Sequence, residues 1–244
     1  MKKVTILILP CLLLIISVGA VLISSSDKPK TEKVRQTVKK PLATMYSEKE
    51  IVSFWEKEMY QTAYEQLASS ATQYPEVNKR FSEINQSVTE QKGLPINFEL
   101  VKSYHPLGPA VEASAGEAHT NGQATVSLYI PAFLNTYKLL ESSRHPKWRD
   151  VFKTRIIVVI MHEMEHLNRK DPKLLKVDLK EESRAWFDTC KYTISPLVET
   201  YKVPVDSDAW RFYDAWKMSG GDIHHPAWTS KIRNLYGDIE GWDD

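Results

Sequence analysis

Cysteine is almost missing from this 244-residue chain: only Cys11 and Cys190 occur, and Cys11 falls in an apolar stretch, so no disulfide can staple the remainder. Stability has to come from packing or from a bound metal. Cys190, alone on an expected helix, reads as a small buried apolar residue and not as a nucleophile. Excess charge of either sign is missing too. Thirty-two basic residues face 31 acidic ones, a net charge of +1, and no aromatic-basic motif appears, so a nucleic-acid partner is set aside. The sequence also lacks internal repeats and low-complexity tracts. What is present, 42% hydrophobic and 26% charged residues, is the composition of a globular protein with one sizeable core.

The N-terminus needs separate treatment. Lys2 and Lys3 precede an uncharged apolar run from Val4 to Ile23, followed by Ser24-Ser25-Ser26. Its length is about that of a spanning helix and favours an uncleaved anchor, while Val18-Gly19-Ala20 offers a signal-peptidase site. Lys28, Lys30, Lys33, Arg35, Lys39 and Lys40 lie just beyond the span and oppose export. The expectation is a signal peptide or membrane anchor over 1–26, a Lys-rich polar linker over 27–46, and a globular domain over 47–244. That domain is expected to be extracytoplasmic, either anchored by the single N-terminal helix or secreted.

Within the domain, Ser47-Glu48-Lys49-Glu50 is a capping-box pattern, and Ile51, Phe54, Trp55, Met59, Ala63 and Leu67 follow at helical spacing, predicting a helix over about 47–70. A second amphipathic helix is predicted over 75–91, closed by Gly93 and Pro95. Ile96 to Val101 suggests a strand. The small-residue stretch 110–123 reads as a loop or loose hairpin. Ala124 to Ile130 reads as a strand, with β-branched and aromatic residues alternating and Pro131 stopping it. Helix signals then dominate over about 146–167, 179–201 and 207–218. The fold class is therefore α+β, predominantly helical, with a small β-sheet preceding the main helices.

The chemistry is concentrated in His162-Glu163-Met164-Glu165-His166, an H-E-x-x-H motif that continues directly from Ile156-Ile157-Val158-Val159-Ile160-Met161. A helix that is apolar around its whole circumference must be buried. Residues four apart share one helix face, about 5–6 Å from each other, so His162 and His166 can close on a single ion. Glu163, rotated away by one residue, can reach a water on that ion and act as general base. Burying two His and two Glu there without a partner would be costly, which argues for a metal, Zn²⁺. Hydrolysis is the reaction class. A catalytic zinc normally takes three protein ligands, and Glu181 and Glu182 on the next helix, after a turn at Asp171-Pro172, are both candidates for the third.

The H-E-x-x-H motif followed by a glutamate helix resembles the gluzincin metallopeptidases, whose third ligand commonly sits in Glu-x-x-Ala, a pattern matched by Glu182 and Ala185. The resemblance implies a zincin-like fold, a peptide or protein substrate, and Glu182 as the ligand. Glu181 would then be a solvated or supporting carboxylate. The segment His225-Pro226-Ala227-Trp228, with Lys231, Ile232 and Leu235, resembles the His-Pro segment of the CAAX prenyl endopeptidase and heat-shock membrane protease family. Trp186 stands where that family often has Asp, and the interval between metal-binding helices is shorter here. His224 or His225 is read either as an oxyanion stabiliser or as a helix-capping residue, and Tyr213 and Arg211 are further oxyanion candidates. The resemblance also implies that the strand Ala124–Ile130 forms the sheet edge beside the cleft. Five of the seven tryptophans fall between Trp186 and Trp242, and their spacing favours core packing over substrate contact. Two alternatives remain: a catalytically inactive zinc-binding assembly protein with a closed site, and a zinc hydrolase of a non-peptide amide or ester.

Overall fold

The computed structural model describes residues 46–65, 67, 73–117, 122–168 and 179–236. The expected anchor or signal, the linker up to residue 45 and the turn at Asp171-Pro172 lie outside the described residues. Among those described, no helix is long and apolar enough to cross a membrane.

The capping box forms as the spacing predicts. Ser47 Oγ accepts the Glu50 N–H, and the Glu50 carboxylate accepts the Ser47 N–H at 2.8 Å, starting helix α1 (Glu48–Phe54). The chain continues through π-helical turns at Trp55–Met59 and Gln61–Glu65. Helix α2 (Pro75–Lys92) buries Val77, Phe81, Ile84 and Val88 along one stripe and ends at Gly93, whose φ of 75° is a left-handed cap. Three strands follow: β1 (Asn97–Val101), β2 (Ala113–Glu117) and β3 (Ala124–Tyr129).

The sheet order is β1-β3-β2, with β1 parallel and β2 antiparallel to β3. This corrects two expectations. The segment 110–123, expected as a loop or loose hairpin, contributes a regular strand, because Ala113–Glu117 pairs antiparallel with β3 throughout. The strand over 124–130 is not an edge, because β3 lies in the centre. The physical reason is burial: five of the six β3 residues are buried, and a strand covered on both faces belongs inside a sheet. The small side chains of Ala113-Ser114-Ala115-Gly116 carry little strand propensity of their own, and pairing with β3 overrides it. Pro131 does not merely stop β3; it falls in the first turn of helix α3 (Ile130–Ser142), where its missing N–H costs nothing.

Helix α4 (Trp148–Leu167) carries the six-residue apolar run, none of it more than 8% exposed. Helix α5 (Leu179–Thr189) packs beside it and runs on through π-helical turns at Cys190–Ile194 and Pro196–Thr200. Cys190 is fully buried, and burial pushes its thiol pKa up. Helix α6 (Ser207–Met218) starts on the Asp206 cap. A last helix, α7 (Pro226–Tyr236), was not among the expected ones. The molecule is thus α+β and predominantly helical, with its small sheet before the motif helix. Trp186 and Trp228 are core residues, whereas Trp210 is half exposed.

A buried polar knot fastens the start of β2 to α4. Arg155 Nε donates to Glu112 Oε2 at 2.8 Å and its Nη1 to Asp206 Oδ2 at 3.0 Å, while the Thr136 hydroxyl donates to Glu112. One carboxylate therefore links α3, α4 and the strand that will border the site.

Candidate metal centre

The last turns of α4 and the first turn of α5 meet where His162, His166 and Glu182 converge. None of the three is more than 7% exposed, and one ligand atom from each lies within 4.8 Å of the others. His162 Nε2 and His166 Nε2 are 3.1 Å apart; His162 Nε2 is 3.4 Å from Glu182 Oε2, and His166 Nε2 is 3.3 Å from Glu182 Oε1. The i, i+4 spacing on one rigid helix produces the first of these distances, and packing of α5 against α4 produces the other two. A tetrahedral zinc with bonds of about 2.0–2.1 Å requires ligand atoms about 3.3–3.4 Å apart. The two imidazole nitrogens are spaced on that scale, and each Glu182 oxygen approaches one of them at a similar distance, so the donor set fits that ion.

The surroundings are arranged for positive charge. Burial works against a charged His166, but Glu182 and Glu181 outweigh it and raise its pKa to about 10. Glu182 is itself buried, yet His166 and His162 hold its carboxyl well below the ordinary range. A dication would satisfy the same field. Zinc must bind a neutral imidazole, so loading at pH 7 is expected to release about one proton, the one His166 carries below pH 10. Calorimetric titration in buffers of different ionisation enthalpy measures this directly, and release should fade as the pH approaches 10. The linkage has a matching sign. A raised histidine pKa stabilises the zinc-free fold fully below the ordinary value of 6.5 and loses that contribution as pH rises towards 10.

Glu181, the second candidate ligand, turns to the back of the site. Its Oε1 is 3.3 Å from His166 Nδ1 and accepts from Arg184 Nη2 at 2.9 Å. Arg184 Nη2 also donates to the Glu165 carbonyl at 2.9 Å and Nη1 to Asp188 at 3.2 Å. This is the carboxylate–histidine arrangement that would fix the ring of a metal ligand. Glu182→Ala is expected to abolish tight zinc binding, whereas Glu181→Ala should weaken it by roughly 10- to 100-fold. Competition against a metal chelator ranks the two variants, and the reverse order would exchange their roles.

His162 is held differently. Its Nδ1 is buried without a hydrogen-bond partner, and its ring lies on Trp186 at 4.1 Å and 23°. Trp186 in turn stacks on Phe212 at 4.0 Å. The Trp186 indole N–H donates to the Tyr236 hydroxyl at 2.9 Å, and Tyr236 donates to Glu182 Oε2 at 3.1 Å. Tyr236 and Arg80 are functional neighbours that the sequence reading missed. Arg80 grips the fully buried Glu165 carboxylate through Nε at 2.8 Å and Nη2 at 2.7 Å.

Glu163 sits one position round the helix from the ligand face. Burial raises its pKa, with Glu182 adding to the rise; His162, His166 and the Ala115 N–H oppose it. That N–H belongs to β2. Tyr129 N–H donates to the Glu112 carbonyl, so residues 112, 114 and 116 face β3 and the peptide groups of Ala113, Ala115 and Glu117 face outward. Glu163 therefore lies beside the outer edge of β2, and no further strand pairs with that edge among the described residues.

His225 is not brought into this group. It precedes the first residue of α7, where its Nδ1 accepts the Ala227 N–H at 3.1 Å and its carbonyl accepts from Trp228 and Thr229. The capping role is the one it plays there. His224 is exposed at the surface. Tyr213 bonds Glu199 instead of facing the cluster, and Arg211 pairs with Asp208 at 3.9 Å. No protein-family model, curated protein or solved structure matches the chain.

Proposed function

We propose that the protein is a zinc-dependent peptidase of the zincin type, acting on extended peptide or protein substrates, with His162, His166 and Glu182 as metal ligands and Glu163 as general base. The observation that carries the reading is the buried His–His–Glu triangle, of zinc dimensions, with a separate carboxylate beside a strand edge. When bound, zinc would polarise the scissile carbonyl and acidify the attacking water.

The chain's own residues supply the rest. Glu163, with its pKa raised by burial, takes a proton from the water and returns it to the leaving amine. The outward peptide groups of Ala113 and Glu117, with the Ala115 carbonyl, offer donors and acceptors to a substrate strand laid along β2. The Ala115 N–H, which already reaches Glu163, puts that strand next to the base. Glu181, behind His166, orients the ring and leaves the ligand face to three protein donors, as an open catalytic site requires. In a closed structural site, a fourth protein donor would take that place. An N-terminal anchor over 4–23 would hold the domain at the outer face of a membrane.

The test is metal analysis of purified protein, together with cleavage of an unstructured protein such as casein and its loss in Glu163→Gln. Stoichiometric zinc and metal-dependent cleavage are expected. Stoichiometric zinc with no hydrolysis of any peptide, amide or ester would overturn the catalytic reading in favour of an assembly role.

A further inference from the structure

We infer that Trp186 is a positioning residue for His162: its indole face, in place of a hydrogen bond, holds the imidazole in the plane that points Nε2 at His166 and Glu182. The inference rests on the zinc reading above and adds to it how one member of the cluster is kept in place.

The two histidines are supported in different ways. A metal-binding histidine usually donates its second ring N–H to a carboxylate, a carbonyl or water, and that bond sets the ring plane. His166 has such a partner in Glu181, 3.3 Å from its Nδ1. His162 has none, because its Nδ1 is buried without a hydrogen-bond partner. A helix backbone restricts χ1, but χ2 of an imidazole is a broad, roughly two-fold torsion. Another contact has to define the plane. Trp186 lies against the ring at 4.1 Å and 23°. Stacking leaves two orientations related by a half-turn of χ2, and only one of them gives Nε2 its approach of 3.1 Å to His166 Nε2 and 3.4 Å to Glu182 Oε2.

The indole is itself held on every side. It is 3% exposed, its other face is covered by Phe212 at 4.0 Å and 6°, and its Nε1 donates to the Tyr236 oxygen at 2.9 Å. Chain spacing delivers it. Glu182 and Trp186 are four residues apart and share one face of α5, as His162 and His166 share one face of α4. A single helix contact therefore brings a carboxylate to the cluster and an aromatic plate to the ring that lacks a hydrogen bond.

Full-length wild type, Trp186→Phe and Trp186→Leu would be titrated with Zn²⁺ against a chelator, with thermal melts of the metal-free proteins alongside. Trp186→Phe keeps a flat ring and loses the N–H, whereas Trp186→Leu keeps apolar bulk and loses the plate. Zinc affinity is expected to fall about 10- to 100-fold in Trp186→Leu and to be largely retained in Trp186→Phe. A role in packing alone would lower the melting temperatures and leave the zinc affinities of the folded proteins unchanged. NMR of metal-free wild type adds a measurement that needs no variant: a ring held against an indole face has its proton signals displaced upfield, and the His162 signals should show this. Wild-type zinc affinity in Trp186→Leu, equal losses in the two variants, or undisplaced His162 signals would each overturn the inference while the zinc reading stands. A wild type that takes up no zinc overturns both.

Discussion

Replacing Glu163 by Gln is expected to lower peptide hydrolysis by about 10²- to 10⁴-fold while zinc remains stoichiometrically bound. The substitution keeps size and the ability to accept the Ala115 N–H, and removes only the capacity to take a proton. Glu163 lies outside the ligand triangle of His162, His166 and Glu182, so metal affinity should be nearly unchanged. The two readouts must separate. Values of kcat/KM on a quenched fluorescent peptide, with metal content from the same preparation, make the comparison. Full activity in the variant would remove Glu163 from the mechanism, and loss of zinc would make it a ligand. The pH dependence has a definite sign. A general base works deprotonated, and burial with Glu182 nearby raises the Glu163 pKa, so the acidic limb of wild-type activity should lie above the ordinary carboxylate range and vanish in the variant.

What the sequence disclosed and what it withheld divide along sequence separation. The pairing of His162 with His166 is a property of one helix turn and is readable from spacing. The Ser47–Glu50 cap is local in the same sense, as is the burial of a helix with six consecutive apolar residues. The choice between Glu181 and Glu182 was only half legible, since both fall on a helix whose rotation against α4 is set by packing. Strand β2 was hidden because Ala113-Ser114-Ala115-Gly116 has no strand signature, and its pairing partner fixes it. Helix α3 was hidden because Pro131 fits either the end of a strand or the first turn of a helix. Tyr236 and Arg80 reach the site region across 54 and 85 residues, and nothing near either one announces a partner. His225 shows the converse case, a residue whose motif left chemistry and capping both open and whose geometry is that of a cap.

The Arg80–Glu165 pair yields the largest expected change in stability. Glu165 stands between the two histidines on α4 with no exposed surface, and Arg80 of α2 meets both its oxygens while lying 4.1 Å from the Tyr192 ring. Arg80→Met would leave a buried carboxylate without its counter-charge, which costs roughly 3–5 kcal/mol. For a domain of this size that corresponds to a melting temperature lower by about 6–20 °C. Replacing both partners, Arg80→Met with Glu165→Met, removes the stranded charge as well and should recover most of the loss, because a well-packed apolar pair is often no less stable than a buried ion pair. Burial already raises the Glu165 pKa against the pull of Arg80, and without Arg80 it rises further. A protonated carboxyl carries no charge to strand, so the deficit of the single variant relative to wild type should shrink as pH is lowered. Thermal melts of wild type, single and double variants at neutral and mildly acidic pH decide the matter. A double variant no more stable than the single one would mean that the pair itself, and not relief of an isolated charge, is what fastens α2 to the helix that carries His162 and His166.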